Sequence, residues 1–327
     1  MKIRELSRIS GISVATISKM LKNPNSVKES TRNKVNDVLK NKGMDKYFNI
    51  NCVKRIVLII PDLRNTFYLD LFSGIIHVVQ KNNITFEIYL TNELIEEEIK
   101  IFSRLENESN IGIIWVPASA KRDRPPYTSN NNNIISLVDR NLEFESIYIK
   151  NLPDNFSAAK KATDLLIEGG AKNPIIVTGN SNLSNAQERR DGFLQSIEDH
   201  GLDITVDRVY YGDFNNTESS YKIIKDIIEN KKIKFDSVLV ANQILAIGIL
   251  RAFREKNISI PKDVSMMTFD KLENLYSENM NISEVVFPAF DIGANATSIL
   301  IDRKPINMSK QIYNYSAQFH LRGSEKK

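Results

Sequence analysis

The apolar positions of the first 45 residues follow a helical spacing in two neighbouring segments. They recur every three or four residues at Ile3, Leu6 and Ile9 in the first segment, and at Val14, Ile17 and Leu21 in the second. Such spacing places apolar side chains on one face of a helix. Gly11 permits a tight turn between the two segments, and Ser13 is a residue type that caps helix starts. The pattern predicts two short helices joined by a turn, the arrangement in which a helix-turn-helix presents its second helix to the DNA major groove.

Beyond residue 54 the pattern changes to strands that alternate with helices. Apolar runs of strand length occur at 55–61, 85–90, 111–117, 134–139, 146–150, 174–179, 206–211, 236–241, 264–269 and 283–287. Amphipathic stretches of helical length lie between many of them, at 67–82, 94–105, 155–168, 187–200, 218–230, 243–256 and 291–303. Repeated strand–helix units predict parallel sheets covered by helices. So many strands exceed one ordinary sheet, and we therefore predict an α/β protein with two doubly wound subdomains and a cleft between them.

Length and composition agree with several domains. A chain of 327 residues suggests two or three domains, and 42% hydrophobic residues are enough for real cores. No apolar run approaches the length of a membrane span, and the N-terminus lacks a secretion signal. The single cysteine excludes an internal disulfide framework. We therefore expect a cytoplasmic protein without membrane contact.

The basic residues are concentrated at the N-terminus. Residues 1–46 contain eleven Lys or Arg against four Asp or Glu, a net charge of +7. Because the whole chain carries +4, the remaining residues carry −3. This asymmetry predicts that the N-terminal segment is the part that docks on a polyanion such as DNA.

Two motifs in this segment carry a family resemblance. Ser10-Gly11-Ile12-Ser13 and Thr16-Ile17-Ser18-Lys19-Met20-Leu21-Lys22 resemble the Ala-Gly-Val-Ser and Thr-Val-Ser-Arg-Val-Leu-Asn of the lactose-repressor (LacI/GalR) family of bacterial transcription regulators. Thr31-Arg32-Asn33-Lys34-Val35 is similar to the family's third helix. The resemblance implies a three-helix headpiece, a linker, and an effector-binding domain similar to periplasmic binding proteins.

The resemblance also implies boundaries. The headpiece spans 1–45, the linker 46–54, and the effector-binding and dimerisation domain 55–327. Subdomain one is expected to comprise about 55–151 and 284–309. Subdomain two is expected to comprise about 152–283 and 310–323.

By position, the resemblance assigns DNA contacts to the headpiece. The residues are Ser13, Val14, Ala15, Thr16, Lys19, Lys28, Thr31 and Lys34. Relatives usually carry Arg where this chain has Lys19. Because lysine is a point donor rather than a planar fork, bidentate reading of guanine is not expected at this position.

Effector contacts are expected just after the strands, where ligands of open α/β sheets bind. Asn65-Thr66-Phe67-Tyr68 resembles the family's Asn-x-Phe-Phe, in which an aromatic ring stacks on the effector. Tyr68 could equally fasten its helix to the sheet. The residues assigned to the effector are Asn65, Phe67, Asp139, Arg140, Lys150, Arg189, Phe214, Asn242 and Asp270.

Two departures from the family pattern change the expected effector. Gln243 and Lys150 stand where relatives commonly carry Asp. Arg140, Lys150 and Arg189 would then face Asp139 and Asp270, a net charge of +1 in the cleft. A positive cleft favours an anion. The prediction is a phosphorylated sugar or a similar anion.

The linker departs from the family as well. Relatives have a hinge helix with Ala-x-Ala-Arg-x-Leu, whose Leu enters the minor groove. The segment here is shorter and lacks that motif, although Phe48 or Ile50 could serve as the wedge.

The sequence therefore predicts a homodimeric regulator, a repressor that binds a palindromic operator and responds to a small ligand. One alternative is a regulator that is ligand-independent or uses a protein corepressor, as in the catabolite-control branch that Asn65-Thr66-Phe67-Tyr68 resembles. Another is a sugar-binding protein or an α/β enzyme without a DNA function. No catalytic, phosphate-binding or metal-binding motif occurs, so we expect no enzyme, cofactor or metal.

Overall fold

Three helices form the N-terminal unit of the computed structural model. The structure describes residues 3–22, 27–42, 53–108, 111–120, 133–142, 149–203, 208–230, 234–272, 281–301 and 311–326. The first helices are α1 (Ile3–Ser10), α2 (Val14–Lys22) and α3 (Glu29–Asn41). They enclose a small core made of Leu6, Ile17, Met20, Val35 and Leu39. The helical spacing of the sequence thus produces the predicted three-helix headpiece.

The rest of the chain alternates strands and helices, as predicted. The strands are β1 (Arg55–Ile60), β2 (Thr85–Leu90), β3 (Ile111–Trp115), β4 (Ile134–Val138), β5 (Ile149–Pro153), β6 (Pro174–Thr178), β7 (Val209–Tyr211), β8 (Ser237–Val240), β9 (Ser265–Phe269), β10 (Ser283–Val286), β11 (Gln311–Tyr315) and β12 (Gln318–His320). The helices are α4 (Thr66–Asn82), α5 (Ile95–Leu105), α6 (Asn155–Glu168), α7 (Ser184–Asp199), α8 (Thr217–Asn230), α9 (Gln243–Glu255) and α10 (Ala289–Ile301).

The strands form two six-stranded sheets with the same spatial order. The first sheet has the order β11-β5-β4-β3-β1-β2, and the second has β12-β10-β9-β8-β6-β7. All pairs are parallel except β10 with β12. In each sheet the first strand of that half, β1 or β6, has the next strand of the chain on one side and the later strands on the other. Loops that leave the carboxyl ends of the strands on either side of such a point diverge and leave a crevice. The two sheets confirm the predicted fold class.

Two of the expected subdomain boundaries are wrong. Strand β10 was placed in subdomain one by the boundary at 284, but it pairs with β9 in the second sheet. The chain returns to subdomain one only after it, at α10, which packs on α4. The tail 310–323 is expected in subdomain two, but only its second strand, β12, pairs there, with β10, while β11 pairs with β5 in the first sheet. Sequence pattern marks a strand, but pairing with distant partners decides which sheet receives it.

The crossings between the two subdomains meet at Asn151. Its Oδ1 accepts hydrogen bonds from Asn295 Nδ2 at 3.0 Å and from Tyr315 Oη at 2.8 Å. Its Nδ2 donates to Ser136 Oγ at 2.9 Å. These bonds join strands β4, β5 and β11 and helix α10 close to the points where the chain passes between the two subdomains. Within the residues that the structure describes, no helix combines the length and apolarity needed to cross a bilayer.

Candidate functional site

Helix α2 presents its first turn to solvent. Ser13 Oγ accepts a hydrogen bond from the Thr16 backbone N–H at 3.1 Å and lies 2.7 Å from Thr16 Oγ1. This is the helix cap predicted from the sequence. Val14 is 42% exposed, and Ala15 and Lys19 are exposed on the same helix. An apolar and a basic side chain on one exposed helix are suited to thymine methyl groups and guanine acceptors in a major groove.

The turn before α2 is held by hydroxyl groups. Gly11 adopts φ +67°, a left-handed conformation that favours glycine. Ser7 Oγ donates to the Ile12 carbonyl and Ser10 Oγ donates to the Leu6 carbonyl, each at 2.7 Å. Ile9, which fits the apolar spacing of α1, is 41% exposed and lies outside the core. The Ser7 bond ties α1 to the residue after Gly11, whereas the Ser10 bond lies within α1.

The other residues assigned to DNA lie on or just before α3. Lys28 and Lys34 are exposed, and Thr31 is half-buried in the first turn. Their positions suit phosphate contacts, which remain a prediction. Phe48 and Ile50, named as candidate minor-groove wedges, lie outside the described residues, as does the linker up to residue 52.

A cleft lies between the two subdomains at the carboxyl ends of their strands. It holds about 330 Å³ of space free of protein atoms, part of it open to solvent. Of the residues assigned to the effector, all but Lys150 line it. Its walls are formed by Asn65, Phe67, Tyr68, Glu93, Asp139, Arg140, Asn185, Arg189, Phe214, Asn215, Asn242 and Asp270.

The start of α4 builds one wall. Asn65 Oδ1 caps the helix by accepting from the Phe67 N–H at 2.8 Å, and its Nδ2 donates across the cleft to Asp270 Oδ2 at 3.0 Å. The rings of Phe67 and Tyr68 meet edge to face, with centroids 5.5 Å apart. Tyr68 Oη donates to Asp139 Oδ2 at 3.0 Å. Tyr68 is therefore part of the cleft wall as well as of the packing beneath it.

Arg140 is held by an acid that the sequence did not suggest. Its Nη1 and Nη2 lie 2.6 and 2.7 Å from the two carboxylate oxygens of Glu93. Nη1 also donates to the Pro117 carbonyl at 2.8 Å. A bidentate pair of this kind fixes the guanidinium in place. Arg140 thus braces the cleft wall, and its charge is compensated inside the protein.

Arg189 is positioned by α7 and is buried. Its guanidinium carbon lies 4.1 Å from the centre of the Phe269 ring. Nε donates to Asn155 Oδ1 at 2.8 Å, and Nη1 donates to the Ala241 carbonyl. Burial lowers the pKa of Arg189, while the nearby Asp270 and Asp139 raise it. The cation lines the cleft with much of its donor capacity already used.

Phe214 is seated in a tight niche on the opposite wall. A Cβ atom on Gly179 would lie 2.5 Å from its ring, so only glycine leaves room there. Asn242 Nδ2 donates to the Phe214 carbonyl at 2.9 Å, and Asn242 Oδ1 caps α9 by accepting from the Leu245 N–H at 2.8 Å. Asn242 lines the cleft, but both ends of its side-chain amide are bonded to the protein backbone, where they hold Phe214 and the start of α9.

Asp270 and Asn185 add hydrogen-bond acceptors to the lining. Burial raises the pKa of Asp270 to about 6, although Arg189 and the bond from Asn65 lower it. Asn185 is buried, and its Nδ2 donates to Asp139 Oδ2 at 3.1 Å. Within the described part of the chain, Asn185 Oδ1 has no hydrogen-bond partner. A ligand in this cleft would meet carboxylate and amide oxygens that accept.

The position predicted for Lys150 is wrong. The side chain is 2% exposed, and its Nζ donates to Asn141 Oδ1 at 2.7 Å and to the Leu142 carbonyl. Its ammonium group is thus held beside β4 and β5 rather than on the cleft wall. Buried charges require such partners, and the backbone and amide oxygens supply them here.

The expected charge of the cleft changes as a result. Two cations, Arg140 and Arg189, line it together with three acids, Glu93, Asp139 and Asp270. With all of them ionised the net charge is −1, rather than +1. A negative cleft does not favour the predicted anionic effector.

Sequence reasoning did not assign Tyr68, Glu93, Asn185 or Asn215 to the effector. Glu93 and Asn215 follow strands β2 and β7, so the rule that ligands bind beyond strand ends could have found them. Asn185 lies in the first turn of α7 and carries no comparable signal. It comes to the cleft because α7 begins at Ser184, three residues earlier than the predicted bound.

Two family models match the chain. The model described as "Bacterial regulatory proteins, lacI family" matches residues 2–43, and the model of a periplasmic binding protein-like domain matches residues 163–324. The chain belongs to the LacI family. Its headpiece and its cleft domain are the two parts that these models describe.

Curated relatives of this LacI-family chain align over nearly its whole length. It is 27% identical over 307 residues to the HTH-type transcriptional regulator RegA of Clostridium saccharobutylicum, covering 91% of each chain. It is 25% identical over 308 residues to catabolite control protein A of Staphylococcus epidermidis, again over 91% of each. The chain is a transcriptional regulator with a DNA-binding headpiece.

A solved structure shares the fold. The transcriptional regulator CelR in complex with cellobiose superposes with a TM-score of 0.71 at 17% identity, over 99% of each chain. The likeness supports the arrangement of a helical headpiece followed by two parallel-sheet subdomains.

Proposed function

We propose that this chain is a repressor that binds a palindromic operator as a homodimer and responds to a neutral sugar in the cleft. The basic headpiece and its exposed α2 support the operator contact. A two-fold dimer places two such helices on half-sites about 34 Å apart. The residues proposed to read or hold DNA are those assigned from the sequence.

Exposed apolar side chains support the dimer. Leu69, Leu90, Leu94, Ile95 and Ile99 are each at least 38% exposed. They lie on α4, β2 and the start of α5, and β2 is an edge strand of the first sheet. An edge strand beside exposed apolar residues is stabilised when a partner covers it. A second copy of this chain would do so.

The acceptor-rich wall of the cleft is the observation that carries the choice of ligand. Asn185 Oδ1 has no hydrogen-bond partner within the described residues, and the carboxylates of Asp139 and Asp270 can accept further bonds beside those they already receive. Sugar hydroxyls supply donors to such oxygens, and phosphate oxygens do not. Arg140 is already paired with Glu93. Phe67 and Phe214 add aromatic surface for the apolar face of a sugar ring. The complex of CelR with cellobiose is consistent with a sugar in this fold.

The alternative of a protein corepressor rests on the resemblance of residues 65–68 to catabolite-control regulators. Those residues here build the cleft wall, with Asn65 bonded to Asp270 and Tyr68 bonded to Asp139. This use of the segment favours control by a small ligand. The proposal includes no catalytic step, in agreement with relatives that are transcriptional regulators.

The test combines operator selection with ligand titration. An operator is first selected from a random duplex library, and its affinity for the protein is measured by fluorescence anisotropy. The operator complex is then titrated with matched pairs such as ribose with ribose 5-phosphate and glucose with glucose 6-phosphate. A neutral sugar should change operator affinity at lower concentration than its phosphate. A consistent preference for the phosphates would overturn the proposed ligand class, and failure to select a palindrome would overturn the dimeric repressor.

A further inference from the structure

The side chain of Gln243 connects the two subdomains. Gln243 is the first residue of α9 in subdomain two and is fully buried. Its Oε1 accepts from Thr66 Oγ1 at 2.5 Å and from the Thr66 backbone N–H at 3.4 Å. Its Nε2 donates to the Arg64 carbonyl at 2.9 Å. The two polar ends of the amide are thus bonded to the first residue of α4 and to the turn before it, both in subdomain one.

The chemistry of this contact requires an amide. Thr66 offers donors and the Arg64 carbonyl offers an acceptor, and a glutamine side chain matches both. A carboxylate would accept from Thr66 but would place an unpaired acceptor against the Arg64 carbonyl. Because the contact is buried, an unmatched polar group there is costly. The residue that replaces the family's Asp at position 243 is therefore one that fits this turn.

Other direct contacts cross the cleft beside it. On the same side, Arg64 Nη1 donates to the Asn215 carbonyl at 2.9 Å, and Lys271 Nζ lies 2.7 Å from Asp70 Oδ2. On the far side, the Ala120 N–H donates to the Asn182 carbonyl at 2.8 Å. All of these bonds join protein atoms directly. Gln243 differs from these pairs in being fully buried and in using its donor and its acceptor together.

Gln243 is also separate from the ligand wall. Its side chain does not line the cleft; its links to the lining residues run through the backbone, which continues from Asn242 and hydrogen-bonds to Asp270. A change of its side chain therefore alters the junction of the subdomains without removing a group that faces the ligand.

We propose that Gln243 is a latch residue, which stabilises the closed arrangement of the subdomains through Thr66 and Arg64 without help from a ligand. A residue that favours one of two conformations shifts their populations in every state of the protein. The latch thereby sets how much of the closed form exists before effector binds. Only its consequence for operator control depends on the proposed function.

The test measures the distance between the subdomains in the full-length protein without ligand or DNA. Spin labels are placed at Ser103→Cys on α5 and Lys222→Cys on α8, both exposed, in a Cys52→Ser background. Dilution with unlabelled protein removes distances between copies. The compared variants are Gln243→Glu, which keeps the size but loses the donor, and Thr66→Val, which loses the hydroxyl and with it the bond to Gln243 Oε1 and a longer one, at 3.3 Å, to the Lys271 carbonyl. Thr66→Ser retains the hydroxyl and serves as the conservative variant.

A matched control comes from the same subdomain. Gln187 Nε2 donates to the Ser181 carbonyl at 2.5 Å, entirely within subdomain two, so Gln187→Glu removes an amide donor without touching the junction. We expect wild type, Thr66→Ser and Gln187→Glu to share one short distance distribution. Gln243→Glu and Thr66→Val should each add a longer-distance population, and the double variant, which loses the bonds to both Arg64 and Thr66, should add the largest one. A folded Gln243→Glu or Thr66→Val protein with the wild-type distribution would overturn the latch. That result would leave the proposal of sugar and operator binding standing.

Discussion

Asp139 and Asp270 occupy equivalent positions in the two subdomains. Each directly follows the third strand in the spatial order of its sheet, β4 in one and β9 in the other. Their φ angles are 66° and 68°, in the left-handed region that few residues other than glycine adopt. The Asp139 N–H donates to the Asn151 carbonyl at 3.2 Å, and the Asp270 N–H donates to the Val285 carbonyl at 3.0 Å. Each half of the protein therefore brings one carboxylate to the cleft by the same local geometry.

The burial of Asp270 predicts that the affinity for the ligand depends on pH. Burial raises the pKa of Asp270 to about 6, so this group gains a proton as the pH falls below that value. A protonated carboxyl accepts hydrogen bonds less well, and affinity for a neutral sugar should fall between pH 7 and pH 5. Calorimetry with the sugar found in the titration above measures it. Asp270→Asn should bind more weakly at pH 7 and lose most of this pH dependence; an unchanged dependence would show that another group titrates.

Gly179 is predicted to control affinity through Phe214. In Gly179→Ala, the new Cβ would lie 2.5 Å from the Phe214 ring and would displace it. Loss of the ring contact should cost about 1 kcal/mol, a roughly fivefold rise in the sugar Kd. Ser181→Ala, an exposed change on the same loop, is the control and should bind like wild type. Equal Kd values for Gly179→Ala and wild type would show that Phe214 does not contact the ligand.

The sequence predicted the elements of the cleft better than its electrostatics. Residues after the strands were found because parallel strands end at one edge of a sheet. Strand position alone, however, does not show where a long side chain such as Lys150 directs its charge. Glu93 fits the same rule, but it lies in a left-handed turn, at φ 63°, three residues beyond the end of β2. Strand β11 was missed because its residues alternate between half-buried and exposed, without the apolar run of a central strand.

Glu188 predicts a second effect of pH, on stability. Burial raises its pKa from 4.5 to about 7, while a bond from Asn155 Nδ2 lowers it. Between those values the folded state holds a proton that the unfolded chain has released, so the free energy of unfolding falls as pH rises from 4.5 to 7. Above pH 7 the buried carboxylate of Glu188 lowers the free energy of unfolding by at most about 3 kcal/mol.

Replacing this glutamate should remove the penalty. Glu188→Gln keeps an oxygen that accepts from Asn155 and should unfold at higher urea than wild type at pH 8, with a much smaller difference at pH 5. Glu198→Gln, exposed on the same helix, is the control and should show little difference at either pH. Equal midpoints for Glu188→Gln and wild type at pH 8 would contradict a buried, costly carboxylate.

The exposed face of α2 predicts separable effects on specificity and on overall affinity. Lys19 lies exposed on the same helix as Val14 and Ala15, where a base edge is within reach once the helix enters the groove. Lys19→Ala should cost about 1–3 kcal/mol on the selected operator and relax the preference at one base pair in each half-site. Lys34→Ala, on α3, should instead weaken binding to operator and to random DNA alike and reduce the salt dependence of binding by about one counterion per contact.

Anisotropy titrations at several salt concentrations, on the operator and on a scrambled duplex, measure both the loss of specificity and the salt dependence. An equal loss for Lys19→Ala on the two duplexes would assign this lysine to the phosphate backbone, and base recognition would then rest on Val14, Ala15 and their neighbours.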